Sequence, residues 1–260
     1  MVVAVRKEEA MLTAFILKIK RRETRFYAFL YSVAKGILLF NVPSIRIVHL
    51  PLYHVDQGVK SALRWLLHTF WWVPLFKAKC EEAGKHLRLP DGIPLIEGSH
   101  LKIFVGDNVT IGRSTIGASN IFDDPVLRIG NNSTVGFGTV ISVAKEVVIG
   151  SHVLIGPHCI VMDSDDHPVN PNKRLAKDPV SKEEVEAVNI GNNVWIGSYC
   201  AILKGVKIGD NTIVSTHSVV TRDAAGNCVY AGFPARPTLR DIDKYELPKR
   251  EIGDMKPEKP

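Results

Sequence analysis

At 260 residues, 45% of them hydrophobic, the chain holds enough apolar material for one large or two modest domains, which excludes disorder as its default state. Its four cysteines, Cys80, Cys159, Cys200 and Cys228, lie far apart with no C-x-x-C pair, which excludes a zinc ribbon or a small disulfide framework and implies a reduced, cytoplasmic setting. The net charge of +6 is uneven: residues 1–90 carry fifteen Lys/Arg against six Asp/Glu, and the remainder is slightly acidic.

Residues 1–95 are expected to be helical and basic. The first fifteen residues mix Arg6-Lys7 with Glu8-Glu9 and lack a clean apolar stretch, so no secretory signal is expected. The most apolar run, Phe26 to Val42, includes Lys35 and Asn41 and stops at Pro43. It is at the lower limit of about 17 residues for a membrane span, so a transmembrane helix is not expected. Two helices are predicted, Glu23 to Phe40 and Val59 to Glu82, broken by Pro43 and Pro51. The second holds Trp65, Trp71 and Trp72 beside Arg64, Lys77 and Lys79, and the first follows Lys18, Lys20, Arg21 and Arg22. Tryptophan beside basic side chains suits a helix lying on an anionic membrane surface. The same apolar faces would equally serve packing against the rest of the chain, and both readings stay open.

From about residue 96 to 238 a different period takes over. Aliphatic residues recur every six positions at Ile190, Ile196, Ile202, Ile208, Val214 and Val220, with a small residue or Val four positions after each. Earlier stretches repeat this at Val105 and Ile111, then Ile129, Val135 and Ile141, then, after a two-residue slip, Ile149, Ile155 and Val161. A helix needs a period near 3.6 and an ordinary strand a period of 2, so six describes one short strand plus one turn. Three such units close an 18-residue triangular coil, and stacked coils bury a continuous apolar column, a parallel β-helix. The slip predicts a bulge or corner insertion. Cys159 and Cys200 fall on small inward positions and are read as inert packing.

The register stops after Val161 and resumes at Ile190, so a polar loop, 163–189, leaves the column there. It carries His167 between Asp165-Asp166 and Pro168. Three stretches, DDHPVNPNKR, then IGNNVWIGSYCAILKGVKIGDNTIV, then VVTRDAAGNCVYAGFPAR, resemble the maltose, galactoside and nodulation type of hexapeptide-repeat O-acetyltransferases over about Val105 to Arg240. The resemblance implies a left-handed column, a homotrimer with the active site between neighbouring chains, and acetyl-CoA as acyl donor with no metal. It implies His167 as the general base. The chemistry agrees, since a sugar hydroxyl attacks a thioester poorly until a group accepts its proton, and histidine's usual pKa of about 6.5 suits that task.

By the same resemblance, Trp195 flanks the pantetheine arm, and Ser198 and Thr216 mark coils whose backbone meets its amides. Thr221 and Arg222 lie where phosphates pass, and Arg236 with Arg240 meets the 3′-phosphate. Asp165, Asp166 and Gly138 are assigned to the acceptor side, Gly138 standing where sugar-acetylating members usually have Asn. His217 replaces a usual Gly and is expected to face solvent. Asp163, Asp165, Asp166 and Glu183 are the candidates to orient His167.

The expected function is acetyl transfer to a sugar or glycan hydroxyl in surface polysaccharide or glycolipid assembly, in the cytoplasm or on the inner face of its membrane, with no nucleic-acid partner. Residues 239–260 form a tail. Two competitors are a carbonic anhydrase-like zinc site, with His152, His158 and His167 converging across a subunit interface, and a non-catalytic trimeric assembly subunit.

Overall fold

The computed structural model describes the backbone of residues 2–245 and the side chains of residues 9–245; positions 246–260 of the expected tail lie outside the described residues. The chain forms two compact units, residues 1–60 and 61–260. The first is helical: α1 (Val2–Arg21), α2 (Arg25–Leu38) and the start of α3 (Arg46–Leu67). Thr24 begins α2 because its hydroxyl accepts the Tyr27 N–H.

The predicted helices are corrected in two ways. A helix precedes Glu23, and α3 begins at Arg46 rather than Val59, running through Pro51. Pro51 falls just past the first turn, where it removes the bond its own N–H would give to Ile47 and crowds that carbonyl, yet the helix continues; His49 Nδ1 accepts the Ile45 N–H to start the turn. Pro43 does separate α2 from α3. Neither α2 nor α3 has a buried residue. No helix among the described residues is long and apolar enough to cross a membrane.

In the second unit a π-helical turn, His68–Trp72, leads into α4 (Val73–Lys79). Phe76 is buried in the main core with Trp72 packed against it, Lys77 Nζ donates to the Gly84 carbonyl at 2.7 Å, and Lys79 Nζ donates to that of Leu101 at 2.8 Å. These side chains close one end of the column, the packing reading of the two left open for them; Trp65 and Trp71 remain exposed. The predicted helix ends early, and the first parallel strand, Glu82–Ala83, starts ahead of residue 96.

The period of six does wind the chain into a left-handed parallel β-helix with three faces, of six, seven and six strands. Along each coil the chain visits the faces in turn, as in Val188–Ile190 on the first, Trp195–Ile196 on the second and Ala201–Ile202 on the third. Ile149, Ile190 and Ile208 stack on the first face, Ile155, Ile196 and Val214 on the second, and Val161, Ile202 and Val220 on the third. All nine are buried, and strands about 4.8 Å apart set each one against a like residue of an adjacent coil, so dispersion and water exclusion act along the column.

The two-residue slip is a corner insertion between the strands Val140–Val143 and Glu146–Ile149. The N–H groups of Ala144, Lys145 and Glu146 donate to the buried Asp163 carboxylate at 2.6, 2.7 and 2.8 Å. Burial pushes that carboxyl above the usual range, against the downward pull of the three donors. Cys159 and Cys200 point inward and donate to the Gly197 and Ser215 carbonyls. Burial pushes the Cys80 thiol up to about 11. A hairpin, Cys228–Gly232 with Ala235–Arg240, finishes the second face by antiparallel pairing.

Candidate active site

The corners of the prism position the polar groups. Between the second and third faces, Gly138, His158, Tyr199 and His217 succeed one another in left-handed backbone conformation. Their neighbouring rings form a ladder: Phe137 meets His158 edge-on at 5.7 Å, and His158, Tyr199 and His217 stack at 5.0 Å spacings. A Cβ on Gly138 would lie 2.4 Å from His158 Nδ1, so the ladder itself explains why no larger residue stands there. His217 is exposed, as expected, with its ring on Tyr199.

Beside this ladder runs a groove of about 550 Å³ lined by Gly156, Pro157, Trp195, Gly197, Ser198, Ile213, Val214, Ser215 and Thr216. Trp195 is 55% exposed and offers an indole wall, and the Thr216 hydroxyl donates to the Ser198 carbonyl at 2.7 Å. Three residues assigned to the pantetheine arm therefore share one groove. Arg236 and Arg240 are exposed on the hairpin strand three steps along the same face from the Trp195 strand, roughly 14 Å at the usual strand spacing. Thr221 and Arg222, expected where phosphates pass, are exposed at the corner between the third and first faces, outside this groove.

That second corner also releases the loop that carries His167. The loop is not loose: Val180 and Val185 bury against Ala144, with Ile121 and Phe122 packed on them. Sequence reading missed this small core, as well as the short helix Pro171–Ala176 capped by the Asn170 side chain. Pro168 is buried, His167 is exposed, and the His167 N–H donates to the Asp165 carbonyl at 2.7 Å.

The four carboxylates expected to orient the imidazole are engaged elsewhere. Asp163 holds the corner insertion, Asp165 pairs with Lys204 at 2.7 Å, and Asp166 accepts the Ser142 hydroxyl at 3.3 Å. The N–H of Glu183 itself and the Ser181 hydroxyl hold the Glu183 carboxyl below the usual range. Asp165 Oδ2 is thus taken up by Lys204. Within one chain the three histidines of the metalloenzyme alternative do not meet: His152 Nε2 lies 3.3 Å from Asn132 Nδ2, His158 sits in the ring ladder, and His167 is on the loop. No group of three metal-ligating side chains occurs among the described residues.

On a single chain, none of the groove-lining residues comes from the His167 loop. The arrangement therefore offers a thin-walled apolar cleft at one corner and an exposed imidazole at another.

The chain is similar to proteins of known family. Residues 187–222 match the family model "Bacterial transferase hexapeptide (six repeats)". Galactoside O-acetyltransferase of Escherichia coli is 36% identical over 141 residues, 51% of this chain and 67% of that protein. The galactoside O-acetyltransferase of Lactococcus lactis is 32% identical over 54% of this chain and 64% of its own length, so the chain spans about two thirds of the length of these relatives. Among solved structures, AntD, an N-acyltransferase from Bacillus cereus in complex with dTDP and 3-hydroxybutyryl-CoA, superposes with a TM-score of 0.52 at 19% identity, over 66% of this chain and 89% of AntD; it shares the fold.

Proposed function

The chain belongs to the hexapeptide-repeat acetyltransferase family, and from that premise we propose that it transfers an acetyl group from acetyl-CoA to a hydroxyl of a sugar or glycan, with His167 as general base. The observation that carries the reading is the groove in which Trp195, Ser198 and Thr216 meet, an apolar slot with the hydroxyl residues Ser198, Ser215 and Thr216 along it. A thioester arm needs such a slot.

His167 accepts the acceptor's hydroxyl proton at a ring nitrogen as the oxygen attacks the thioester carbonyl carbon. When the C–S bond breaks, the imidazolium returns that proton to the departing sulfur, so the base is regenerated. Holding both reactants in place supplies much of the remaining acceleration. Because imidazole and groove occupy different corners of one prism, the working site joins the groove of one copy to the His167 loop of the next in a trimer. Thr221 and Arg222 then approach the cofactor from the same side as His167, and Arg236 and Arg240 from the groove side. The test is release of coenzyme A thiol with a panel of sugars, nucleotide sugars and glycans: acceptor-dependent release supports the reading, and release that no acceptor accelerates contradicts it.

The acceptor is placed at a membrane surface, in surface-glycan assembly. What supports this is the first unit, in which residues 1–60 carry ten Lys/Arg against four Asp/Glu. Helix α2 leaves Phe26, Phe29, Ile37 and Leu38 exposed just after the basic cluster Lys18 to Arg25. An apolar face rimmed by cations fits an anionic bilayer surface. The full-length protein is expected to float with phosphatidylserine-containing vesicles, and Phe26→Asp/Phe29→Asp to stay in the soluble fraction; unchanged recovery of the variant rules this placement out. Deleting residues 1–90 would be a poor test, because Phe76 belongs to the core of the column.

A further inference from the structure

We propose that Lys204 is a positioning residue for His167, an ammonium clamp that joins both limbs of the loop to the next coil of the prism. The proposal rests on His167 being the base. Val161 pairs with Ile202, so the corner residue Lys204 sits one coil away from Asp163, where the loop departs. From there Lys204 Nζ pairs with Asp165 Oδ2 at 2.7 Å on the outgoing limb and donates to the Glu184 carbonyl at 3.0 Å on the returning limb.

The outgoing contact matters most. The carbonyl of Asp165 accepts the His167 N–H, so fixing the Asp165 side chain fixes the peptide on which the imidazole is mounted. The Lys204 side chain is only 24% exposed, which limits screening of the pair by salt and water. The corner is shaped to match. The N–H of Gly205 donates to the Glu186 carbonyl at 2.9 Å, its φ is +76°, and a Cβ there would lie 2.5 Å from Glu186 Oε2.

Lys204 is not what keeps the loop attached. Asp163 anchors its departure, and Val180 and Val185 bury its return limb. Without the ammonium the loop stays docked while the turn carrying His167 gains freedom. Misplacement of a catalytic group by about 1 Å lowers turnover on the order of 100-fold, whereas the groove, on another corner, is untouched.

The experiment compares full-length Lys204→Met, Lys204→Arg and His167→Ala by coenzyme A release and thermal melting. Lys204→Met is expected to lose about 10- to 100-fold in kcat, with the KM for acetyl-CoA and the melting temperature near those of the wild type. Lys204→Arg, which keeps the charge and two donors, is expected to recover most of the turnover. Wild-type kcat in Lys204→Met alongside an inactive His167→Ala would overturn the clamp and leave the base assignment standing. Turnover retained by His167→Ala would overturn the base assignment, and the positioning role with it. A loss in Lys204→Met that tracks loss of folded protein and is not rescued by Lys204→Arg would also overturn the clamp.

Discussion

Replacing His167 with alanine is expected to lower kcat by about 10²- to 10⁴-fold, the usual contribution of a positioned general base, while the protein stays folded and keeps its oligomeric state. The side chain is exposed on the loop and packs into no core, so its loss leaves no cavity and no stranded donor. Coenzyme A release at saturating acetyl-CoA reads the first effect; circular dichroism and size-exclusion chromatography read the second. Binding of acetyl-CoA is expected to persist, because Trp195, Ser198 and Thr216 are unchanged and lie on a different corner. A variant that keeps more than a tenth of wild-type turnover would remove the imidazole from the chemistry.

Asp163→Ala is expected to have the larger effect on stability. The residue is fully buried and accepts three backbone N–H groups of the Ala144–Glu146 corner. A buried donor left without a partner costs about 1–3 kcal/mol, and with the Ala144 N–H buried and the other two partly so, the total loss is expected to be about 3 kcal/mol. For a chain of this size that is a fall of roughly 10 °C in melting temperature. The same change frees the loop at its root, so turnover should fall with stability. Asp163→Asn keeps one acceptor but presents an NH₂ to N–H donors, and is expected to rescue only part. A melting temperature for Asp163→Ala within about 2 °C of wild type would show that water or the loop itself satisfies the corner, contrary to the geometry.

Asp163 also illustrates what the sequence reveals and what it withholds. The column was legible because its contacts repeat: Ile190, Ile196 and Ile202 need only the spacing of six to be placed on three successive faces. The slip before Ile149 was legible as an insertion, but its closure by a carboxylate from the following coil was not, since Asp163 lies 17 to 19 positions away and reads as one more polar loop residue. Register would have found it. Once Val161 is set against Ile202, Asp163 and Lys204 fall on the same corner in adjacent coils.

The helices are less legible because proline is a breaker only by tendency; Pro51 stands near the start of a 22-residue helix that continues through it. Aromatic residues beside cations carried no mark of their partner either. Trp72 and Lys77 serve the end of the column, while Phe26 and Phe29 remain exposed. Motif resemblance names Trp195, Ser198 and Thr216, which share one groove, and Thr221 and Arg222, which lie at another corner; a linear motif does not say which corner each coil turns on.

Mixing two inactive chains tests most directly whether the imidazole of one copy serves the groove of another. One partner is His167→Ala; the other, Trp195→Ala/Thr216→Trp, keeps the base and has its groove blocked. In a trimer that contains both, one interface in three pairs an intact base with an intact groove, so random equal mixing is expected to restore roughly one quarter of wild-type turnover. Activity that stays at the level of the two separate variants, although mixed trimers have formed, would contradict a shared site and place base and thioester on the same chain.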